Sequence, residues 1–281
     1  LKYGVFLSKY YVFCTQFDKK TVYLHALKHI LKTLFIIIFP QTNIPVSSQL
    51  IKRSIEKVLA EDINGVWPIL SNEEKRLIVE NFEIHHFKKN QIIYAENEEP
   101  EYLWCLLKGK VKKYKDGVGG RQQILRLIRP VQYFGYRAYF ANEPYVSTSA
   151  AFEPSVLGSL PMGIVSDLIT ANNQIAWFFI HDLSRNLGNS DSRIVNLTQK
   201  HIRGRLAEAL MVLRDNYGYE DDNMTLKIYM SREDLANLSN MTTSNAIRTL
   251  SGFVNEHLIV VDGRSIKIIN EPQLRKISKF G

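Results

Sequence analysis

The polar segment between Thr242 and Thr249 holds the side chains with the clearest potential for chemistry. It carries hydroxyl and amide groups beside a single arginine, Arg248. If the segment is helical, the residues left outside near its N-terminal half are Thr243, Ser244, Asn245, Arg248 and Thr249. Hydroxyl, amide and guanidinium groups of this kind hydrogen-bond to phosphate oxygens and base edges. The segment therefore predicts a surface that contacts a nucleic acid.

Two helices joined by a tight turn would position these groups. Ser231 and Asp234 have the spacing of a capping box, with Ser231 as the N-cap of the first helix. Asn240 follows where the turn needs a positive φ, which Asn tolerates better than most residues. Thr242 or Thr243 can cap the second helix. The positions expected to pack inward are Leu235, Ala236, Leu238, Ala246, Leu250 and Phe253. The pattern predicts a helix-turn-helix whose second helix enters a DNA major groove.

A strand–turn–strand pattern follows the second helix, with Asp262-Gly263 between the apolar runs Leu258–Val261 and Ser265–Ile269. Asp-Gly in this setting is a strong hairpin signal, and a hairpin here would form a wing. Upstream, residues 199–217 have the apolar spacing of a helix, and Leu226–Met230 alternates as a short strand. Residues 199–281 are therefore predicted to form a winged helix-turn-helix domain.

Residues 84–160 have a different period. Apolar bursts such as Tyr102–Leu107 and Val146–Phe152 are short and are separated by turn signals, among them Asp116–Gly120. Short strands at this spacing indicate an all-β roll or barrel. Such a barrel can enclose a small-ligand pocket, and a plain packed core fits the pattern equally. Ahead of it, Ser71 and Glu74 have capping-box spacing and predict a short helix.

A long helix is predicted between these regions. Its seam residues recur at spacings of three and four, as an a/d heptad pattern with one polar break. They are Ile180, Leu183, Leu187, Ser190, Ile194 and Leu197. The helix either pairs with that of a second copy or lies on its own domain. We favour a dimer coiled coil, because polar residues such as Arg185 and Arg193 flank the stripe and a dimer suits a two-fold DNA site.

Length and charge bound these interpretations. A chain of 281 residues, 45% hydrophobic and 23% charged, is long enough for two domains with full cores. The net charge is +8, but residues 1–60 carry nine Lys/Arg against two Asp/Glu, whereas residues 201–281 carry eleven against ten. The basic excess therefore lies in the N-terminal segment, and the net charge is weak support for nucleic-acid binding.

Cysteine content and motif content disfavour several other classes of protein. Only Cys14 and Cys105 are present, so an iron–sulfur cluster with four thiolates cannot form within one chain. The wide cysteine spacing also argues against a disulfide framework or a zinc site and suits a reducing cytoplasm. No P-loop, nucleophile elbow or HExxH motif occurs, so we expect neither an enzyme nor a metal centre.

Residues 1–50 form an atypical extension. Their apolar run Leu34–Phe39 ends at Pro40 and is far shorter than the ~20 residues of a membrane-spanning helix, so no stable membrane association is expected. Three interpretations stay open for this segment: translation from a misplaced start, a membrane-proximal anchor, or an additional helix. We assign it no role in the function.

The sequence from about residue 60 to 275 resembles the Crp/Fnr family of bacterial regulators. Ser231–Ile259 aligns without gaps to the DNA-binding signature of that family. Ile92–Glu96, Leu107–Val111 and Tyr133–Gly135 resemble its cyclic-nucleotide-binding-type roll. More closely, the chain resembles the branch found in Bacteroides-type bacteria.

The resemblance implies an α+β fold with four parts. They are the extension at 1–50, a double-stranded β-helix (β-roll) sensor domain at 51–170, a dimerisation helix at 171–198 and the winged helix-turn-helix at 199–281. It further implies a cytoplasmic homodimer that binds double-stranded DNA and acts with RNA polymerase, with a small-molecule effector as an open possibility. The effector, the operator sequence and the direction of regulation are not indicated by the sequence.

The same resemblance suggests a role for each DNA-facing residue. Arg248 occupies the position of the base-reading arginine, which can bond to O6 and N7 of guanine. Ser244 replaces a glutamate of many members and would read bases weakly, and Thr243 can touch phosphate or a thymine methyl group. Ser231, Arg232 and Thr242 would bind phosphate oxygens and set the register.

The chain departs from the cyclic-nucleotide binders of the family at the ligand site. Gly135 is followed by Tyr136 and Arg137 in place of a ribose-binding glutamate, and the phosphate-binding Arg-Ser position falls near Tyr145-Val146. A buried phosphate needs a matched cation, so we expect no cAMP binding by the familiar mode. The candidate effector pocket comprises Tyr133, Gly135, Tyr136, Arg137, Tyr145, Val146 and Ser147. Ordinary roll packing is the alternative explanation for these aromatic side chains.

Sensing through a metal group has little support in the sequence. The N-terminal cysteine cluster of oxygen-sensing members is absent, and the lone histidines His85, His86, His181 and His201 are expected to be ordinary surface or core residues. Two functional alternatives stay open beside an effector-controlled regulator. One is a ligand-binding module whose output is not DNA, and the other is a regulator whose roll is only a dimer scaffold.

Overall fold

The computed structural model describes residues 65–281. The expectations for residues 1–50, and the part of the predicted sensor domain before residue 65, lie outside the described residues. Residues 65–281 belong to a single compact unit. Within this range, two sheets with their associated helices precede the C-terminal domain.

Eight strands within the described residues build a roll. They are Glu83–Phe87 (β1), Ile92–Tyr94 (β2), Tyr102–Lys108 (β3), Val111–Asp116 (β4), Gln122–Ile128 (β5), Tyr133–Phe134 (β6), Thr148–Ala151 (β7) and Ser155–Pro161 (β8). The strands pair antiparallel in two sheets, with the orders β1-β8-β3-β6 and β2-β7-β4-β5. The predicted roll is confirmed, and β5 is an edge strand of the second sheet.

The β4–β5 hairpin contains a bulge. Lys113 pairs with Arg126 and Tyr114 pairs with Ile124, so Leu125 has no partner on β4. Such an extra residue changes which side of the strand the next side chains face. Ile124 accordingly packs with the C-terminal domain, whereas Ile128 packs inside the roll.

One helix precedes the roll, one lies between two of its strands, and the others follow it and build the C-terminal domain. Those in the described residues are Asn72–Asn81 (α1), Tyr136–Phe140 (α2), Met162–Ala171 (α3), Asn173–Gln199 (α4), Ile202–Tyr217 (α5), Arg232–Ser239 (α6), Thr243–Asn255 (α7) and Glu271–Phe280 (α8). The predicted capping box of α1 is present, because Ser71 and Glu74 bond reciprocally. The long helix α4 begins after Asn172, whose side chain accepts a bond from Gln174 N.

Three apolar clusters hold this unit together. One fills the roll around Leu106, Val111 and Leu157. A second cluster, which includes Leu70 and Leu103, lies between the first sheet and helices α1, α3 and α4. The largest cluster is in the C-terminal domain and extends into the roll. Its roll members are Ile124, Leu127 and Phe152, so the two domains share one core.

The C-terminal domain closes with a wing and a helix. Strands Ile259–Asp262 (β9) and Ser265–Ile268 (β10) form the predicted hairpin, but Asp262 pairs with Ser265 and the turn residues are Gly263 and Arg264. Helix α8, which the sequence analysis did not predict, packs along α5. Asn270 caps it and a proline follows in its first turn, which are ordinary helix-start signals.

One predicted strand is wrong. Leu226–Met230 forms no strand and has only isolated bridges at its start, from Leu226 to Tyr219 and from Thr225 to Lys267. Its alternation is real, since Leu226, Ile228 and Met230 are buried. The burial comes from packing against the core of the domain rather than from a ladder, so the period of two was a correct signal of burial and a false signal of pairing.

A glycine that faces the second cluster, between the first sheet and the helices, gives a test of this packing. A Cβ added at Gly158 on β8 would lie 1.8 Å from Cζ of Phe82, whereas one at Gly163 on α3 meets nothing within 4 Å. We expect Gly158→Ala to lower the free energy of unfolding by ~1–3 kcal/mol through overpacking. Gly163→Ala should leave it unchanged or raise it by up to ~1 kcal/mol. Urea denaturation measures both, and equal effects would contradict the packing described.

Candidate functional site

Helix α6, a short turn and α7 form the candidate nucleic-acid interface. Ser231 caps α6 by accepting a bond from Asp234 N at 3.0 Å, but its hydroxyl also donates to the Asp234 carboxylate at 2.6 Å. Only half of the predicted capping box is therefore present. Asn240 ends α6 with φ of 50°, as expected for the turn. Of the two predicted caps of α7, Thr242 is the one that accepts a bond from Asn245 N, at 3.3 Å.

The N-terminal half of α7 presents a polar face to solvent. Thr242, Thr243, Ser244 and Arg248 are exposed, and Asn245 and Thr249 are partly exposed. Ala246, Leu250 and Phe253 are buried on the opposite side, as predicted. The candidate DNA-binding residues on this helix thus share one accessible surface, while Ser231 and Arg232 lie partly buried at the start of α6.

The charge of Arg248 is not neutralised by the protein. Within residues 65–281 its guanidinium makes no ion pair, although neighbouring arginines do: Arg203 pairs with Glu256 and Arg275 pairs with Glu271. Arg264 in the turn of the wing is likewise exposed and makes no ion pair in the described part of the chain. These two cations remain available for an external anion.

Sequence analysis missed Ile247 and Arg264 as candidate contact residues. Ile247 lies on the same face of α7 as Ser244 and Arg248, and 48% of its surface is exposed. An apolar side chain at this place can contact a thymine methyl group. The signal available in the sequence was its position one residue after the inward Ala246, which turns it away from the core.

The predicted dimerisation seam on α4 is divided between exposed and partly buried positions. Ile180, Leu187 and Ile194 are 47%, 64% and 61% exposed. Ser190 is exposed as well, whereas Leu183 and Leu197 are partly buried, Leu183 against the helices beneath the first sheet. Every second seam position therefore has an apolar surface that remains exposed among the described residues.

The structure separates the residues proposed for the effector pocket. Tyr133 and Tyr136 pack with α4, in the cluster beneath the first sheet. Tyr145 instead lies inside the roll, where its ring stacks on Tyr94 at 3.7 Å, and Gly135 is adjacent to it with φ of 92°. Arg137 pairs with Glu143 at 2.7 Å, Val146 is exposed and Ser147 is buried.

Tyr136 connects this region to the long helix. Its hydroxyl donates to the carboxylate of Asp182 on α4, which also accepts a bond from Asn186 at 2.9 Å. Burial, and then the bond to Asp182, raise the pKa of Tyr136 well above its usual range. The side chain therefore stays neutral and acts as a fixed link between the roll and α4.

A buried guanidinium joins the roll, the long helix and the helix-turn-helix. Nη2 of Arg193 on α4 donates to the carbonyl oxygen of Ile124 on β5 at 2.6 Å and to that of Leu238 on α6 at 2.9 Å. Burial lowers the pKa of Arg193. The carbonyl of Leu238 lies at a helix C-terminus, and that of Ile124 lies on an edge strand, where the Gln123 side chain also donates to it at 3.1 Å.

Two further contacts fix the same junction. Lys112 on β4 pairs with Asp234 on α6 at 3.4 Å, and Arg121 donates to the Asn240 side chain at 3.0 Å. The β4–β5 hairpin therefore holds both ends of α6, including the turn before the candidate recognition helix. The position of α7 relative to the roll depends on these bonds.

Candidate metal ligands and membrane spans were sought in the part of the chain that the structure describes. Between residues 65 and 281, His, Cys, Asp and Glu side chains form no group of three that could hold a metal ion. In the same range, every helix is too short or too polar to cross a bilayer. His85 Nε2 bonds instead to Ser159 Oγ at 2.8 Å.

Comparisons with known proteins agree with this architecture. A cyclic nucleotide-binding domain family matches residues 84–172, and a Crp-like helix-turn-helix domain family matches residues 204–277. The CRP-like cAMP-activated global transcriptional regulator of Mycobacterium tuberculosis is 22% identical over 191 residues, which cover 68% of this chain and 85% of that protein. Regulatory protein HlyX of Actinobacillus pleuropneumoniae is 25% identical over 182 residues, covering 64% and 75%. The structure of FixK2 from Bradyrhizobium japonicum has a TM-score of 0.64 at 21% identity and covers 70% of this chain and 96% of that one.

A cyclic-nucleotide-binding-type roll and a Crp-like helix-turn-helix on the same chain together define a class of regulators. The chain belongs to the Crp/Fnr-type DNA-binding transcriptional regulators. The relative from Mycobacterium tuberculosis is named a transcriptional regulator and HlyX a regulatory protein, and transcriptional regulators are not enzymes. The resemblance noted from the sequence is confirmed at the level of the family.

The junction at Arg193 can be tested by stability. Arg193→Met leaves the carbonyl oxygen of Leu238 without its side-chain donor and that of Ile124 with the Gln123 side chain alone, so we expect a loss of ~1–3 kcal/mol in the free energy of unfolding. Arg185→Met, the same change at an exposed position of α4, should cost less than ~0.5 kcal/mol. Chemical denaturation measures both variants, and an equally small loss at Arg193 would show that the junction does not hold the domains together.

Proposed function

We propose that the protein binds a two-fold DNA operator as a homodimer, with α7 of each copy in a major groove. The single observation that carries this proposal is the exposed face of α7, on which Arg248 has no ion pair within the described residues. An unpaired guanidinium on the N-terminal half of a recognition helix suits two hydrogen bonds to one guanine. Ser244, Thr243 and Ile247 surround it with weaker contacts to bases.

Phosphate contacts would set the register of each helix-turn-helix on the duplex. Thr242 stands at the N-terminus of α7, where backbone N–H groups and the helix dipole attract an anion. Arg232 and Arg264 flank the same surface from α6 and from the wing. Ser231 can contribute only by exchanging its present bond to Asp234, because that bond uses its hydroxyl proton.

Dimerisation through α4 would bring the helix-turn-helix domains of two copies together. The exposed seam positions Ile180, Leu187 and Ile194 repeat every seven residues, which is the spacing of one side of a coiled coil. A second copy would cover them and would relate the two α7 helices by a two-fold axis. Ser190 would then be a polar position inside the seam, of the kind that fixes register at some cost in stability.

We further propose a cytoplasmic protein that acts with RNA polymerase and responds to a small molecule in the roll. These points follow from the family and from the sequence, as does a place in the Bacteroides-type branch. We expect no cAMP binding by the familiar mode, because Tyr136 and Tyr145 stand where a carboxylate and a cation would be needed.

Arg248→Ala tests the recognition surface. We expect the variant to lose discrimination between operator and unrelated duplexes, by ~1–3 kcal/mol per half-site, while weak salt-sensitive binding remains. Selection from a degenerate duplex library followed by gel-shift titration measures this. The control Arg264→Ala should weaken binding to all sequences alike and reduce the salt slope by about one. Unchanged specificity in Arg248→Ala, or no DNA binding by the native chain, would overturn the proposal.

Leu187→Glu tests the dimer. A carboxylate in the seam would be buried against its symmetry mate, so we expect a monomer with much weaker operator binding. Ser192→Glu places the same charge at an exposed position of α4 outside the seam and should leave the mass unchanged. Light scattering after gel filtration gives the mass of each variant. A dimer that persists in Leu187→Glu would favour a helix that lies on its own domain.

A further inference from the structure

A polar row crosses the second sheet from strand to strand. Tyr94 on β2 pairs with Ser149 on β7, Ser149 pairs with Lys113 on β4, and Lys113 pairs with Arg126 on β5. Residues directly opposite on antiparallel strands project from the same face, with Cβ atoms about 4.5–5.5 Å apart. The four side chains therefore stand side by side on one surface of the sheet.

That surface is the inner wall of the roll. Val111 and Ile128 lie two residues from Lys113 and Arg126 on the same strands, so they share their face, and both are packed in the roll core. Tyr94 belongs to the same core and is 4% exposed. The row therefore carries two cations into the interior of the sensor domain, at partly buried positions.

These two cations face each other without a carboxylate partner. Like charges directly opposite on neighbouring strands destabilise a sheet. Three nearby basic residues are paired: Lys112 with Asp234, Lys115 with Glu96, and Arg137 with Glu143. Within residues 65–281, neither Lys113 nor Arg126 makes an ion pair. No carboxylate of the described residues therefore neutralises these two charges on the inner wall of the roll.

The surroundings of the row favour an anion there. Burial, and then the fields of Arg137 and Arg126, lower the pKa of Lys113 to about 8. The hydroxyl of Ser149 beside them is fully buried, and the neighbouring Tyr94 hydroxyl is near enough to interact with it without forming a bond of normal geometry. A hydroxyl and two cations thus stand side by side, and one anionic ligand could bond to all three.

We propose that the roll binds a small oxyanion, a phosphate or carboxylate group of a metabolite, between Lys113, Arg126 and Ser149. The proposal rests on the proposed function, because it names the chemical class of the effector. It uses cations on strands β4 and β5, whereas the family position for a phosphate-binding arginine falls near Tyr145-Val146. Arg137, held by Glu143 at the rim, adds to the positive field.

The full-length dimer is titrated with inorganic phosphate, pyrophosphate and citrate, against chloride at the same ionic strength. Isothermal titration calorimetry reads affinity and stoichiometry. We expect saturable binding of at least one oxyanion, at one site per chain, and no saturable binding of chloride. The phosphate and citrate arms tell a phosphate-bearing effector from a carboxylate-bearing one. Arg248→Ala should bind the oxyanion as the native chain does, which places the site away from the DNA surface.

Matched variants locate the site. Arg126→Met should weaken oxyanion binding about tenfold or more, the loss expected for one charge-assisted hydrogen bond. Arg129→Met, the same change at an exposed position just beyond β5, should leave the affinity unchanged. Without oxyanion, Arg126→Met should be at least as stable as the native protein, since it relieves repulsion from Lys113. A purely structural arginine would give the opposite result.

Two outcomes overturn this inference. One is the absence of saturable binding for all three oxyanions, and the other is equal binding by the native chain and Arg126→Met. Either result with operator binding intact would refute the oxyanion site and leave the proposed function standing. Failure of the native chain to bind DNA would instead refute the proposed function, whatever the calorimetry shows.

Discussion

The unpaired edge of β5 is the constraint on which the rest of the structure depends. An edge strand presents carbonyl and N–H groups that must be covered or left to solvent, and a flat open edge invites pairing with other chains. Here α6 packs against β5, and Arg193 donates to the carbonyl of Ile124. The same guanidinium satisfies Leu238 at the end of α6. One cation on the long helix thereby covers a sheet edge and a helix end together.

This arrangement makes the two domains parts of a single folded unit. The shared core contains Ile124, Leu127 and Phe152 from the roll together with the buried residues of the helix-turn-helix. Arg193 lies on the helix that also carries the proposed dimer seam, one residue before Ile194. A shift of α4 against the roll would therefore disturb the seam, the edge of β5 and the end of α6 at once. The N-terminal half of α7 makes no such contacts within the described residues, and its polar face stays exposed.

Local signals in the sequence were sufficient for much of this fold, and long-range contacts were not. The cap at Thr242, the positive φ of Asn240 and the wing hairpin depend on residues within a few positions of each other, and the structure confirms them. Arg193 looked like one of several polar residues beside a heptad stripe, because its two acceptors are 69 and 45 positions away in the chain. The pairing of Lys113 with Arg126 could not be predicted from the sequence either, because it depends on the register of the β4–β5 hairpin.

The alternation of Leu226–Met230 shows the converse limit, since burial at every second residue does not require a partner strand. Backbone strain is a further feature that the apolar pattern did not reveal: Val131, in the turn before β6, has φ of 62°, which is strained for a β-branched side chain.

Leu125, which has no partner on β4, determines the side of the sheet on which its neighbours in β5 lie. In a regular strand Ile124 and Arg126 would point to the same side; the bulge sends the first toward the shared core and the second into the roll. Deleting this one residue would put β5 out of phase, so that either the cation leaves the interior or the isoleucine leaves the domain interface. The length of β5, to within a single residue, therefore decides which side of the hairpin carries the charged side chain and which side carries the apolar one.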